Sequence, residues 1–394
     1  MFVRAKILII LSLVSVYCVG QQIKIGTYTF PEGGVYQGEM VRGKPYGTGT
    51  TTYSNGDVYV GSYVKGVRQG QGTYTFSDGE KYEGEWYQNH QHGRGTYYFA
   101  NNNRYEGLWF RDMQQGHGVM YYYNGDIYDG EWQNDKREGQ GTYTYAGGAS
   151  YQGTWHNDMR DGKGIFDWNN GNSYDGSWHE NQMNGKGTYT YASGDVYTGD
   201  WKNDRQHGRG IYTFSDGNRY EGQYVDGERT GEGVYTLANG DRYVGRFLNG
   251  QREGHGTFTW TGGAVYEGEW HADKQHGRGK YTWAGGGTYE GEWKDGLMHG
   301  EGIMREADGT KFKGHFENGL KEGSGLLVDS QGNRFEGNFH RGEKHGEFVE
   351  KDRNGNVLRR VTYVNGVAQA TPEAKADSGQ KKPSSGSASR QRRR

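Results

Sequence analysis

The pentad Tyr82-Glu83-Gly84-Glu85-Trp86, with the stretch Gly93-Arg94-Gly95-Thr96-Tyr97-Tyr98-Phe99 that follows it, decides how this chain folds. In the pentad a ring, a gap and a ring take every second position and two carboxylates take the others. That is the period-two alternation of a β-strand with one apolar and one polar face. Gly95, Tyr97 and Phe99 alternate in the same way and mark a second strand. Between the two strands the chain is polar for about eight residues and carries Asp, Asn or Gly and then Gly, as in Asn203-Asp204-Arg205-Gln206-His207-Gly208. It reads as a loop, so the whole stretch reads as one β-hairpin.

Outward from this stretch the pattern Tyr-x-Gly-x-aromatic recurs without a gap. It begins at Tyr36, Tyr59, Tyr82, Tyr105, Tyr128, Tyr151, Tyr174, Tyr197, Tyr220, Tyr243, Tyr266 and Tyr289, continues with Phe312 and Phe335, and every step is 23 residues. Only Met40 breaks the final ring. Such a fixed period is the mark of a repeat architecture. Ser54-Asn55-Gly56-Asp57, Ser77-Asp78-Gly79 and Asn239-Gly240-Asp241 read as Asn-Gly or Asp-Gly turns that join one unit to the next. Glycines such as Gly84 and Gly95 leave bare backbone over which rings from a neighbouring strand can lie. The expected fold is all-β: an elongated single-layer antiparallel meander of 23-residue β-hairpin repeats. Gly26, Tyr28, Phe30 and Gly33 match the second half of a unit, so residues 21–35 read as a half-repeat cap before fourteen repeats over 36–357. At the other end Phe348 replaces the second glycine, Glu350 replaces the ring, and Leu358, Arg360 and Thr362 take the place of a further pentad, so residues 358–371 read as a closing cap.

The composition agrees. With 72 glycines and 4 prolines among 394 residues the chain is far from a globular average, yet 33 Tyr, 14 Phe and 11 Trp supply ring surface that a disordered chain lacks. Cys18 is the only cysteine, which excludes disulfides and thiolate metal sites elsewhere in the chain. The net charge of −2 hides a division: Arg4 and Lys6 are basic, the tail from Pro372 carries seven basic and two acidic residues, and the remainder is left at about −9. An acidic array excludes nucleic acid as a general partner and is a poor binder of anionic lipid.

Met1–Gly20 reads as a cleaved signal peptide, with Arg4 and Lys6 before the apolar run Ile7–Val16 and the small residues Cys18 and Gly20 near the cut. An uncleaved anchor and a cytosolic N-terminus are the alternatives. The expected location is the secretory pathway, the extracellular space or a membrane, against a cytoplasmic, cytoskeletal or flagellar one. The tail over 372–394 reads as disordered and basic, and Arg390-Gln391-Arg392-Arg393 resembles a convertase cleavage site.

These residues resemble the MORN (membrane occupation and recognition nexus) repeat family, whose pattern is Tyr-x-Gly-x-Trp and then Gly-x-Gly at a period of 23. The resemblance covers Tyr36 to about Glu350. It implies an elongated, twisted hairpin array with a grooved face, and roles in attachment to membranes or phosphoinositides, in cytoskeletal scaffolding and in homodimerisation. The signal-like start and the acidic middle set this chain apart from the family's lipid-binding members.

Catalytic chemistry finds little support. Gly70-Gln71-Gly72 and its equivalents look like phosphate cradles, but no helix follows them to supply the anion site. His92, His207, His276, His299 and His345 precede the first of these glycines and read as solvated loop residues, because equivalent positions in successive hairpins stand too far apart to share a metal. The carboxylate pairs Glu83/Glu85, Asp129/Glu131, Glu267/Glu269 and Glu290/Glu292 read as a solvated face, with a basic partner or loosely held cation as the alternative. No catalytic residue, cofactor or metal is expected. The candidate interaction face is the row of first-strand rings: Tyr82, Trp86, Tyr105, Trp109, Tyr128, Trp132, Tyr151, Trp155, Tyr174, Trp178, Tyr197 and Trp201. The expected function is a non-enzymatic scaffold for a protein partner or a second copy of itself, at a membrane or cytoskeletal structure, with phospholipid binding as the alternative.

Overall fold

The computed structural model describes residues 22–369; the signal-like segment and the basic tail lie outside them. The described residues form 31 strands, from β1 (Lys24–Thr29) to β31 (Val367–Ala368), and no helix. They fall into two compact units, one of residues 22–217 with 223–227, the other of residues 218–222 with 228–369. Within each unit the strands pair antiparallel in sequence order as a single layer.

The register explains the glycines. In the first unit Gly26 lies opposite Gly38, Gly38 opposite Gly49, and the row continues to Gly199 opposite Gly210. In the second it runs from Gly233 opposite Gly245 to Gly325 opposite Gly337. Tyr82 shows what the row is for. Its side chain folds back over Gly84 and across onto Gly95; a Cβ at Gly84 would stand 2.5 Å from both the Tyr82 hydroxyl and the Gly95 Cα. For Gly95 the covering ring comes from the neighbouring strand, as expected. For Gly84 it comes from two residues away on its own strand, which the alternation did not suggest. The hydroxyl donates to the Glu85 carbonyl at 3.0 Å, so the buried phenol keeps its hydrogen bond.

The final ring of the pentad locks the hairpins together. Trp86 stands edge-on to Tyr82 at 5.3 Å, Trp109 of the next hairpin meets the other side of Tyr82 at 5.4 Å, and the Trp86 indole N–H donates to the Gly72 carbonyl at 3.1 Å. Edge-to-face pairs of this kind contribute about 0.5–1.5 kcal/mol each beyond their burial, and here they repeat at every hairpin.

The turns differ from expectation in length. Within a hairpin the connection is two residues, such as Gln88-Asn89, both at positive φ (49° and 67°). This is a type I′ turn, for which Asn, Asp and Gly are suited. Between hairpins it is longer: Gly79 N–H bonds the Phe76 carbonyl and Phe76 N–H bonds the Glu80 carbonyl, a type I turn closed by Gly79 at φ 97°. The stretch expected as a loop is the two-residue turn followed by the bulged start of the second strand. Glu85 faces His92, Gly93 and Arg94 together, Gly93 takes φ 59°, and the Glu85 carboxylate accepts the Arg94 N–H at 3.1 Å. His92, His207, His276, His299 and His345 therefore sit in strands, and Glu85 caps a bulge as well as facing solvent.

Both ends of the array fill the ring slot by substitution. Gly26 has no preceding pentad to cover it, and the Met40 thioether lies there; a Cβ at Gly26 would stand 2.8 Å from its Sδ. At the other end Phe348 replaces a glycine opposite Gly337, and its own ring takes the slot, 2.6 Å from a Cβ placed on Gly337. Glu350 is buried and accepts hydrogen bonds from Tyr363 and Arg359, each at 2.6 Å. The further pentad is displaced by one residue from the expected frame. Val361 pairs with Phe348 and Tyr363 with Gly346, so Val361 and Tyr363 hold the inward places, while Leu358 is exposed. The shift comes from an irregularity where Lys351 pairs with Val357 and Glu350 with Arg359.

Candidate interaction groove

The first-strand rings form the interior of the sheet's ring face. Tyr82, Tyr105, Tyr128, Tyr151, Tyr174 and Tyr197 are 0% exposed, and Trp86, Trp109, Trp132, Trp155, Trp178 and Trp201 are 3–6% exposed. The structure brings all twelve together as one ladder. The ring surface that remains accessible on this face belongs to the second strands and the turns after them: Tyr74 and Phe76, 4.6 Å apart, then Tyr97 and Phe99, also 4.6 Å apart, then Tyr122. The alternation of Gly95, Tyr97 and Phe99 carried that signal in the sequence.

One position of the repeat shapes this surface, and the sequence reading missed it. The second residue of the second strand is Arg68, Gln91, Gln114, Arg137 and Arg160 in successive hairpins. The guanidinium carbons of Arg68, Arg137 and Arg160 sit 4.3, 4.3 and 4.4 Å above Trp86, Trp155 and Trp178. Each guanidinium also donates at 2.8 Å to the carbonyl of the next hairpin's turn, at Asn89, Asp158 and Asn181. Such stacked cations close the ring face. Where glutamine stands instead, the face opens into a groove of about 920 Å³ between Arg68 and Arg137. Its signal was a change of residue type at a fixed repeat position.

Charge lines the groove's rims. On one side the turn residues Asp112 and Asp135 accept the backbone N–H of Gln91 and Gln114, each at 2.7 Å, and Asp112 also meets His90 at 2.5 Å. On the other side Tyr97 donates to Glu80 and Tyr74 donates to Asp57 at 2.7 Å. Burial disfavours ionised Asp57, but hydrogen bonds from the Tyr74 hydroxyl, the Ser77 N–H and Asn55 outweigh it and hold the carboxyl below its usual value. Burial first, and then the Glu80 carboxylate, push the Tyr97 phenol up. The second unit has a smaller groove, about 440 Å³, beside Arg252, which lies 4.3 Å over Trp270.

The polar face carries the carboxylate pairs. Glu83 pairs with Lys81 at 2.7 Å and Glu106 with Arg104 at 3.0 Å. His92 packs between Tyr87 and Phe110, at 5.5 and 5.2 Å. Among the described residues no group of three or more His, Cys, Asp or Glu is placed to hold a metal. Gly70-Gln71-Gly72 lies inside a strand. Ring walls, amides and rim carboxylates suit the binding of a chain segment.

A family model described as the MORN repeat matches fourteen consecutive segments, from residues 36–58 to residues 335–357. No curated protein sequence matches the chain. Among solved structures, the SAS-4 (dCPAP) TCP domain of Drosophila melanogaster, in complex with a proline rich motif of Ana2 (dSTIL), is 18% identical; the match covers 39% of this chain and 84% of that one, at a TM-score of 0.26. The TCP10 domain of Danio rerio CPAP with a STIL peptide is 11% identical, over 75% of this chain and 96% of that one, at 0.17. Virginiamycin B lyase from Staphylococcus aureus is 11% identical, over 78% and 91%, at 0.13. Superpositions this poor lend no weight to any reading of function. The repeat match rests on the pentads, glycine pairs and turns described above, and by it the chain belongs to the MORN repeat family.

Proposed function

We propose that this protein is a non-enzymatic scaffold that binds a segment of a protein partner, or of a second copy of itself, along its ring face at a membrane or cytoskeletal structure. The groove between Arg68 and Arg137 carries the reading, because it offers ring walls and acidic rims and holds no nucleophile paired with a base. A photo-crosslinking residue at Phe99, in the groove, compared in cells with one at Thr96, on the polar face, tests it. The expected result is a defined protein adduct from position 99 and none from position 96. Equal labelling, or adducts with lipid alone, would overturn it, and the lipid outcome would favour phospholipid binding. We further propose entry into the secretory pathway with removal of Met1–Gly20; a mature protein that begins at Gln21 is expected, and an intact Met1 would move the reading to the cytosol.

A further inference from the structure

The groove presents two amides that bond no other described residue. Gln91 and Gln114 are 7% and 5% exposed, and neither side chain makes a hydrogen bond with any described residue. Their amide ends are not among the sealed-off polar atoms of the described residues, so they open onto the groove and are free to meet a ligand there. At the same place two hairpins further on from Arg160, the Gln206 amide donates to the Tyr191 hydroxyl at 3.2 Å, so the repeat can satisfy a glutamine here. The two open amides stand in adjacent hairpins, between stacked Arg68 and Arg137.

Their spacing selects a ligand conformation. Successive hairpins repeat every two strands, about 9.4–9.8 Å. A polyproline-II chain has three residues per turn at about 3.1 Å each and so presents the same face every 9.3 Å or so. An extended β-strand returns to the same face after about 6.6 Å and an α-helix after about 5.4 Å, and neither matches. Proline rings suit aromatic walls such as Tyr74, Tyr97 and Phe99. Proline lacks an N–H but keeps its carbonyl, the group that a glutamine NH₂ seeks. Asp158 is already paired with Arg137 at 3.2 Å, so the rim carboxylates of Asp112 and Asp135 are those that favour a basic residue beside the prolines.

We propose that this groove binds a proline-rich segment of a partner protein in the polyproline-II conformation, with Gln91 and Gln114 donating to carbonyls one turn apart. The proposal rests on the reading of the ring face as a protein-binding surface. Tryptophan fluorescence of the full chain, titrated with a synthetic run of prolines carrying an arginine at each end, tests it against a glycine–serine peptide of equal length and charge. Saturable binding of the proline peptide alone is expected. Q91M/Q114M should weaken it by about tenfold or more, through the loss of two hydrogen bonds. Q206M, whose amide is already engaged, should leave it unchanged. Methionine already occupies this position as Met183 and Met298, so the variants keep a residue that the repeat accepts. Absence of saturable binding, equal binding of the glycine–serine peptide, or an unaffected double variant would each overturn the proposal. A protein adduct from position 99 that persists in that case would leave the scaffold reading standing.

Discussion

Glycine carries the fold at the scale of single residues, because a tyrosine ring occupies the space where its side chain would be. At Gly176 an added Cβ would meet the Gly187 Cα at 2.6 Å and the Tyr174 ring closer still. Gly176→Val should therefore cost about 1–3 kcal/mol by overpacking, while Asp175→Ala, on the exposed polar side, should stay within about 0.5 kcal/mol. Hydrogen exchange on the two variants checks both: Gly176→Val should lose protection in its own and adjacent hairpins and keep it in distant ones of the same unit. The opposite ranking would invert the face assignment. Tyr174→Phe removes only the hydroxyl bond to the Ser177 carbonyl at 3.0 Å, a loss of about 0.5–1.5 kcal/mol, and Phe312 shows that the slot accepts the smaller ring. The pairing of glycine with ring was legible in the sequence, since both recur in every unit. The identity of the covering ring was not, because a side chain that folds back along its own strand leaves no trace in the alternation.

For the hairpin as an element, neighbours are clamped at both edges by turn side chains. Asn89 accepts the Arg68 N–H at 2.7 Å on one edge, and Asp57 and Asp126 accept Tyr74 and Tyr143 hydroxyls at 2.7 Å on the other. Burial opposes ionisation of Asp126, but bonds from Tyr143, Ala146 and Asn124 prevail and its carboxyl, like that of Asp57, is held below the usual 3.8. A carboxyl depressed on folding stabilises above its unfolded value and loses that contribution as pH falls through the folded value. Thermal stability should thus hold from neutrality down to pH about 4 and drop below it. Asp57→Asn should reduce that drop without unfolding the chain, since Asn103 and Asn172 make the same backbone bond at equivalent places; a melting series against pH reads it. The turn lengths were misread for a local reason. Gly93 and its bulge interrupt the period of two, so a strand that begins at His90 imitates a loop until its register is known.

Across the whole molecule, the number of repeats was visible in the sequence, whereas the frame of the closing strand was not, because an irregularity near Lys351 shifts it by one residue. Met40 covers Gly26, where the ring of a preceding hairpin would lie, and Phe348 takes the slot over Gly337 that the first pentad ring fills in other hairpins. The groove was not legible, because it arises from what two consecutive glutamines leave undone. Collective burial predicts alkaline behaviour. Burial raises the phenols of Tyr59, Tyr82, Tyr151, Tyr243 and Tyr289 above their ordinary 10.0, so their contribution is complete below pH 10 and is lost as pH rises through the folded values. Absorbance of ionised tyrosine should show a late phase that coincides with loss of the β-sheet circular dichroism signal; titration of every phenol near pH 10 in a folded chain would contradict it.

The paired glycine row makes length a quantised property. Excision of residues 151–173 would bring Gly141 opposite Gly176 and set Arg137 over Trp178 where Trp155 had been, with the glycine pairing and the stacked guanidinium restored. Deletion of a single residue inside a strand would turn its rings to the wrong side of the sheet. Inheritance can therefore add or drop whole hairpins almost silently, while a frame slip of one residue is ruinous: the gene for such a chain edits by the paragraph and never by the letter.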